Sequence, residues 1–289
     1  MKGSHLEKFT SAVASMAVSS LIEELELTPK PGLVDKKNTG AHKDLTFQLM
    51  RASADSLRDT VKEIVFVSYG RLPSQSLREE IAAIGRDGEK RMFEVTDGIN
   101  THKGAIWSIG LLASAFSTGK GRFTTEEILS MAGKLARYPD RYCPVTDTNG
   151  KRVIKKFGVK GAKGEAQQGF PHIRQFSLPM LNHSRAMGLT EEKAKLYALL
   201  SLMAHLDDTC ILHRGGSDGL SSVKEQAAFF LISGDFDLLN QMDEEFIHQN
   251  ISPGGSADLL AATLFLDKIS KIQSLNEVSN EVSNEYQLI

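Results

Sequence analysis

Apolar residues recur at helical spacing along most of the chain, and no convincing series of alternating strand-like segments stands against them. Phe9, Val13, Met16, Ala17, Leu21 and Leu25 share one face of a first helix over 8–27. The same period marks helices over 45–69, 77–96, 105–116, 124–136, 189–206, 220–232, 236–249 and a last one through Ile269. Between 165 and 188 the pattern is helical but interrupted by Pro171 and Pro179. The expected fold class is therefore all-α: a single multi-helix domain over 1–272, with catalytic loops at helix ends. The stretch 138–161 mixes Pro, Asp, Asn, Gly and a basic run, and reads as a mobile or extended surface segment, with short extended pieces around 151–160. Residues 273–289 repeat Asn-Glu-Val-Ser and read as a low-complexity, disordered tail.

Five polar, glycine-bearing stretches punctuate these helices: 28–44, 98–104, 161–165, 205–216 and 252–258. The first, TPKPGLVDKKNTGAHKD, has two prolines around Lys30 and admits neither helix nor strand. Glu23, Glu24 and Glu26 crowd the end of the helix before it, and read either as a solvated face or, more specifically, with Glu23 or Glu24 pointing into the loop. Read singly, each stretch has an ordinary account: a C-cap glycine, a solvated lysine, an aspartate ending a helix. Five together carry more charged groups than capping requires. Lys30, Lys103, Lys163 and Arg214 beside glycines suit a polyphosphate, because backbone N–H groups can approach it while the cations neutralise charge. Asn38, Asn100, His102, Gly215, Gly216, Gly254, Gly255 and Ser256 are the further nucleotide-binding candidates. Asp35, Asp44, Glu165, Asp207, Asp208 and Asp258 supply hard oxygen ligands for Mg²⁺, which usually arrives with phosphates, and Asp44, Asp207, Asp208 and Asp258 are the expected metal set. Asp35, His42 and Glu165 are the candidates for acid, base or electrostatic work.

The histidines at 42, 102, 205 and 213, with the Asp207–Asp208 pair, leave a second reading open: a metal-dependent phosphohydrolase, or an N-glycosidic hydrolase acting on a nucleotide. No two of them have the i, i+4 spacing of a zinc helix. His172, His183 and His248 fall on helical stretches and read as structural or exposed. Thr118-Gly119-Lys120-Gly121 lacks the flanking residues of a P-loop, and 158–164 lacks dinucleotide-fingerprint spacing.

A net charge of −2 and 7% aromatic residues give no footprint for nucleic acid. No apolar run reaches membrane-span length, and MKGSHLEK has no signal core, so the expectation is a cytoplasmic protein. Cys143 and Cys210 are far apart and form no metal or disulfide pattern.

The motifs at 28–44, GINTHKGAIWSIGLL at 98–112, GAKGEAQQGFP at 161–171, DDTCILHRGG at 207–216 and ISPGGSADLL at 251–260 jointly resemble the triphosphoribosyl-dephospho-CoA synthases that serve citrate lyase and malonate decarboxylase. Cys210 stands where that family is expected to have Asn, and Leu45 where Met commonly follows His-Lys-Asp. The resemblance implies that ATP and 3′-dephospho-CoA give 2′-(5″-triphosphoribosyl)-3′-dephospho-CoA and adenine. It also implies Mg²⁺, and a functional link to an acyl-carrier subunit and its holo-transferase.

Overall fold

The computed structural model describes residues 2–144 and 148–285. Residues 145–147, within the segment expected to be extended, and 286–289, in the tail, lie outside the described residues. The helices are α1 Lys2–Glu26, α2 Phe47–Ser56, α3 Arg58–Ser68, α4 Gln75–Val95, α5 Lys103–Thr118, α6 Thr125–Arg137, α7 Asn149–Phe157 and α8 Gly161–Gln167. A π-turn at Ile173–Ser177 is followed by α9 Leu178–Ala186, α10 Glu191–His205, α11 Thr209–Ser233, α12 Asp237–His248 and α13 Gly254–Glu285. Among the described residues there is no strand, so the all-α expectation holds. The last helix takes in most of the segment set apart as a tail.

The centre of the fold is α5. Nearly every residue from Ala105 to Thr118 is buried, and a helix that is apolar all round is an interior helix. It packs against α13, α3 and α6, while α1 lies against α3 and α13 and α10 against α11 and α9. Leu112, Phe116, Leu199, Phe230 and Phe265 are fully enclosed in the shared core. Helix starts follow local chemistry. Thr124 and Glu127 form a reciprocal capping box, and Thr46, Ser74 and Thr190 each accept a backbone N–H of the first turn.

Several boundaries differ from the expectation. The helix over 45–69 breaks at Leu57 into α2 and α3. The extended pieces around 151–160 are α7, capped by Thr148 at its start and by Gly158 in the left-handed region at its end. Val153 and Ile154 hold α7 to the body, and its lysines and Arg152 face outward. Most important, much of the later polar stretches is helix. Residues 161–165 open α8, 209–216 open α11, and 254–258 open α13. The Leu212–Gly216 turn is only a kink inside α11, where Gly216 adopts φ 64°.

Candidate active site

All five polar stretches reach one cleft of about 800 Å³. Its walls include the first residues of α5, α11 and α13, and Thr148, Asn149 and Gly150 at the start of α7. Helix N-termini carry partial positive charge, which their convergence brings to this space, although side chains take up several of their first N–H groups. The lining is also partly apolar: Val34, Leu45, Met50 and Ile99 belong to one cluster, and Phe93 lines the cleft too. Trp107 is a further lining residue. Its indole N–H donates to the Ala162 carbonyl at 3.1 Å, and Arg78 stacks 5.0 Å above its ring.

Residues 28–44 are held in place by groups from far along the chain. Asp35 is buried and does not line the cleft. It accepts backbone N–H groups of Lys30 at 3.0 Å, Lys37 at 2.7 Å and Asn38 at 3.1 Å. Asp243 of α12 accepts the Gly32 N–H at 3.0 Å and the Asn38 amide at 2.7 Å. Gly32 has φ 69°, and a Cβ there would run into the Ile251 carbonyl, so only glycine fits. Arg214 donates to the Ala41 carbonyl at 2.8 Å and to His42 Nδ1 at 3.2 Å. Since Nδ1 accepts, His42 Nε2–H donates to Ser252 Oγ at 2.8 Å. Burial, aided by the Arg214 charge, lowers the His42 pKa to about 4, so at neutral pH it is an uncharged imidazole with both nitrogens engaged.

The floor is charged and buried. Lys30, 1% exposed, donates to Glu24 Oε1 at 2.5 Å. Glu24 is thus the residue that points into the loop, while Glu23 pairs with Lys195 and Lys268. Burial raises the Glu24 carboxyl, opposed by Lys30. Asp258 is raised well above the usual carboxylate range, first by burial, then by Glu24 and Asp208. It presses on α5 so closely that a Cβ on Gly104 would overlap its carboxylate. Asp208 is 1% exposed and caps two helices. It accepts Cys210 N–H at 2.8 Å at the start of α11, then Gly255 N–H at 3.2 Å, Ser256 N–H at 2.8 Å and Ser256 Oγ–H at 3.0 Å at the start of α13. His102 is 3% exposed. Its Nδ1 is 2.7 Å from Ser53 Oγ, which also meets Thr101 Oγ1 at 2.5 Å. Its Nε2 is buried without a hydrogen-bond partner, and burial, with the Lys30 charge, lowers its pKa to about 4.

At the rim, Lys103 pairs with Glu89 at 2.8 Å, Asp207 with Lys224 at 2.6 Å, and Asp44 lies 3.8 Å from His42. Asn100, Gly254 and Gly255 also line the cleft, whereas Asn38, Lys163, Gly215, Gly216 and Ser256 do not. The four aspartates expected as a metal set all reach the cleft. Among the described residues, however, no three His, Cys, Asp or Glu side chains gather as a metal cage. The physical reason is visible: Asp208 is saturated by N–H and O–H donors and Asp207 by a lysine.

Glu165, 5% exposed, lines the cleft with both oxygens held by His172, a residue read from sequence as structural or exposed. Asp243 and Ser53 were likewise not singled out. His172 directly follows the GAKGEAQQGFP motif, and that adjacency was the one signal available for it.

The fold and cleft define an all-α enzyme class with a mixed anionic-ligand and apolar-ligand site. Residues 10–277 match the family model described as ATP:dephospho-CoA triphosphoribosyl transferase, and the chain belongs to that family. It is 44% identical over 271 residues to the probable 2-(5''-triphosphoribosyl)-3'-dephosphocoenzyme-A synthase of Pseudomonas syringae pv. syringae (strain B728a), covering 91% of this chain and 93% of that one. It is 43% identical over 272 residues to the 2-(5''-triphosphoribosyl)-3'-dephosphocoenzyme-A synthase of Klebsiella pneumoniae, covering 92% and 97%. No solved structure matches the chain. The activity is accordingly that of a transferase, the family implies ATP and dephospho-CoA as substrates, and the hydrolase readings find no support. Among the described residues no helix is long and apolar enough to cross a membrane.

Proposed function

We propose that the cleft carries out the whole transfer: the triphosphoribosyl group of ATP passes to the 2′-hydroxyl of 3′-dephospho-CoA, and adenine leaves. The observation that carries this reading is the convergence of the N-termini of α5, α11 and α13 on a cleft that is also lined by Val34, Leu45, Met50, Phe93 and Ile99. A retained triphosphate needs donors that hold it without cleaving it. Lys103 and Arg214, which line the cleft, supply the cationic ones, and the helix starts add partial positive charge. The adenine and the acceptor's pantetheine arm need the apolar lining.

Cleaving an N-glycosidic bond builds positive charge on the ribosyl carbon. Glu165, buried and fixed, is the carboxylate placed to face it. His42 and Asp35 hold the loop, for their polar atoms are already committed. A divalent cation fits the floor at Asp258, which lies close to the carboxylates of Glu24 and Asp208. Mg²⁺ usually takes one or two carboxylates and completes its shell with phosphate oxygens and water, so no full protein cage is called for. Asp258 is the residue that would hold it, and the ion would neutralise triphosphate charge when bound.

The product is the precursor of a prosthetic group on an acyl-carrier subunit, with a holo-transferase as the next enzyme. Both substrates are polyanions that do not cross membranes, which supports a cytoplasmic setting. Incubation with ATP and dephospho-CoA tests the reading. Free adenine without ADP or phosphate is expected; phosphate without adenine would replace it with hydrolysis.

A further inference from the structure

Glu165 and His172 are seven residues apart. In a continuous helix that spacing is two turns, about 10.5 Å of rise. Instead His172 folds back on Glu165: its backbone N–H donates to Oε1 at 2.9 Å and its Nδ1–H to Oε2 at 2.7 Å. The chain makes an unusual turn to do so. Gly169 and Phe170 both have positive φ, 75° and 55°, and a bulky aromatic residue in that region is a strained outlier. The Phe170 N–H closes the end of α8 on the Glu165 carbonyl at 3.0 Å, and a π-turn follows directly after His172. Phe176, from that π-turn, stacks on His205 at 3.8 Å and lies 5.8 Å from the His172 ring. The His205 backbone carbonyl accepts from the ring as well.

We propose that His172 is a positioning residue of the transfer reaction: it grips both oxygens of Glu165 and sets that carboxylate against the ribosyl carbon parting from adenine. This rests on the role assigned above to Glu165. In the transfer, the C1′–N9 bond of ATP breaks with its electron pair passing to adenine, and a C1′–O bond forms to the acceptor's 2′-hydroxyl. The proton lost by that hydroxyl balances the one adenine takes up. Glu165 forms no bond; it offsets charge on C1′ while neither nucleophile nor leaving group is fully attached. That task demands a fixed carboxylate, and a strained turn with a two-point grip fixes one. The groups facing His172 are Glu165, Asp207 and His205. The two carboxylates and the His205 bond outweigh burial, and the imidazole pKa is raised above its ordinary value.

The experiment compares His172→Ala, His172→Asn, Glu165→Gln and the double variant H172A/E165Q in the adenine-release assay. His172→Ala is expected to lower kcat roughly 10- to 100-fold, as loss of a supporting group typically does, with KM for ATP within about twofold. His172→Asn, which keeps an N–H donor, recovers part of the rate. The double variant is no slower than Glu165→Gln, because the two residues act as one unit. A wild-type kcat in His172→Ala, or losses that multiply in the double variant, would overturn the proposal. Full activity in Glu165→Gln would instead remove the reading beneath it. Should His172→Ala fail to fold, the rate of His172→Asn, alone and combined with Glu165→Gln, decides the matter.

Discussion

The floor and the rim of the cleft use the same residue types under opposite conditions. On the floor, Lys30 and Glu24 are 1% and 4% exposed. At the rim, Lys103 and Glu89 form a similar pair with side chains 43% and 25% exposed. A rim charge is solvated whether or not its partner is present, so the pair contributes little. A floor charge without its partner has neither water nor counter-charge. The floor carboxylates are thus structural as well as functional: Asp208 ties α11 to α13, and Asp258 touches α5. The rim residues are free to answer a ligand.

The largest effect should come from breaking the floor pair. Lys30→Ala leaves Glu24 buried and alone, and should cost about 3–5 kcal/mol in urea unfolding. It should also abolish measurable ATP binding at the temperature where the wild type binds. The double change E24L/K30M, which removes both charges, should restore much of the stability. If the double variant is as unstable as the single one, packing rather than charge holds the floor.

Acid should separate the two regions next. His42 and His102 have folded pKa values lowered to about 4, against an ordinary 6.5. Above pH 6.5 both are neutral folded and unfolded, and their contribution is fully present. As pH falls towards 4 the unfolded chain takes up protons that the folded chain refuses, so stability declines by up to about 1.4 kcal/mol per pH unit for each histidine. Urea midpoints at pH 7 and pH 5 measure the decline. His102→Gln and His42→Gln should each flatten it, and an unchanged slope in both would show that other groups govern acid unfolding.

Asp208→Asn should be milder, about 2 kcal/mol, since one oxygen remains to accept N–H groups while an amide faces the others. Hydrogen exchange in the first turns of α11 and α13 should rise together; faster exchange at only one of them would deny the double cap. Smallest of all, Lys103→Ala should alter stability by less than about 0.5 kcal/mol. It should raise KM for ATP severalfold at low salt, and the difference should shrink as salt screens the triphosphate. A salt-independent change would remove Lys103 from the phosphate site.

Much of this cleft was legible before any coordinates. The five polar stretches do meet, and one of Glu23 and Glu24 does enter the loop. Helical periodicity correctly excluded a sheet. What sequence could not separate was a loop from the first turn of a helix. Gly161–Glu165, Thr209–Gly216 and Gly254–Asp258 are rich in the small polar residues that suit either, and only neighbours fix their dihedrals. Nor could it rank the carboxylates. Asp35, Asp208 and Glu165 look alike as letters, yet Asp35 is taken up by its own loop, Asp208 by two helix starts, and Glu165 by a histidine that helical spacing would place two turns away.

The amino-acid sequence by itself determined most of the helices, the polar stretches between them and the family, because periodicity and motif are local properties of the chain. The tertiary structure alone decided which charged groups are spent on holding the cleft and which remain for a ligand. A carboxylate's role depends on the donors and the water around it, and those come from residues as distant as Asp208 is from Ser256, or Gly32 from Asp243.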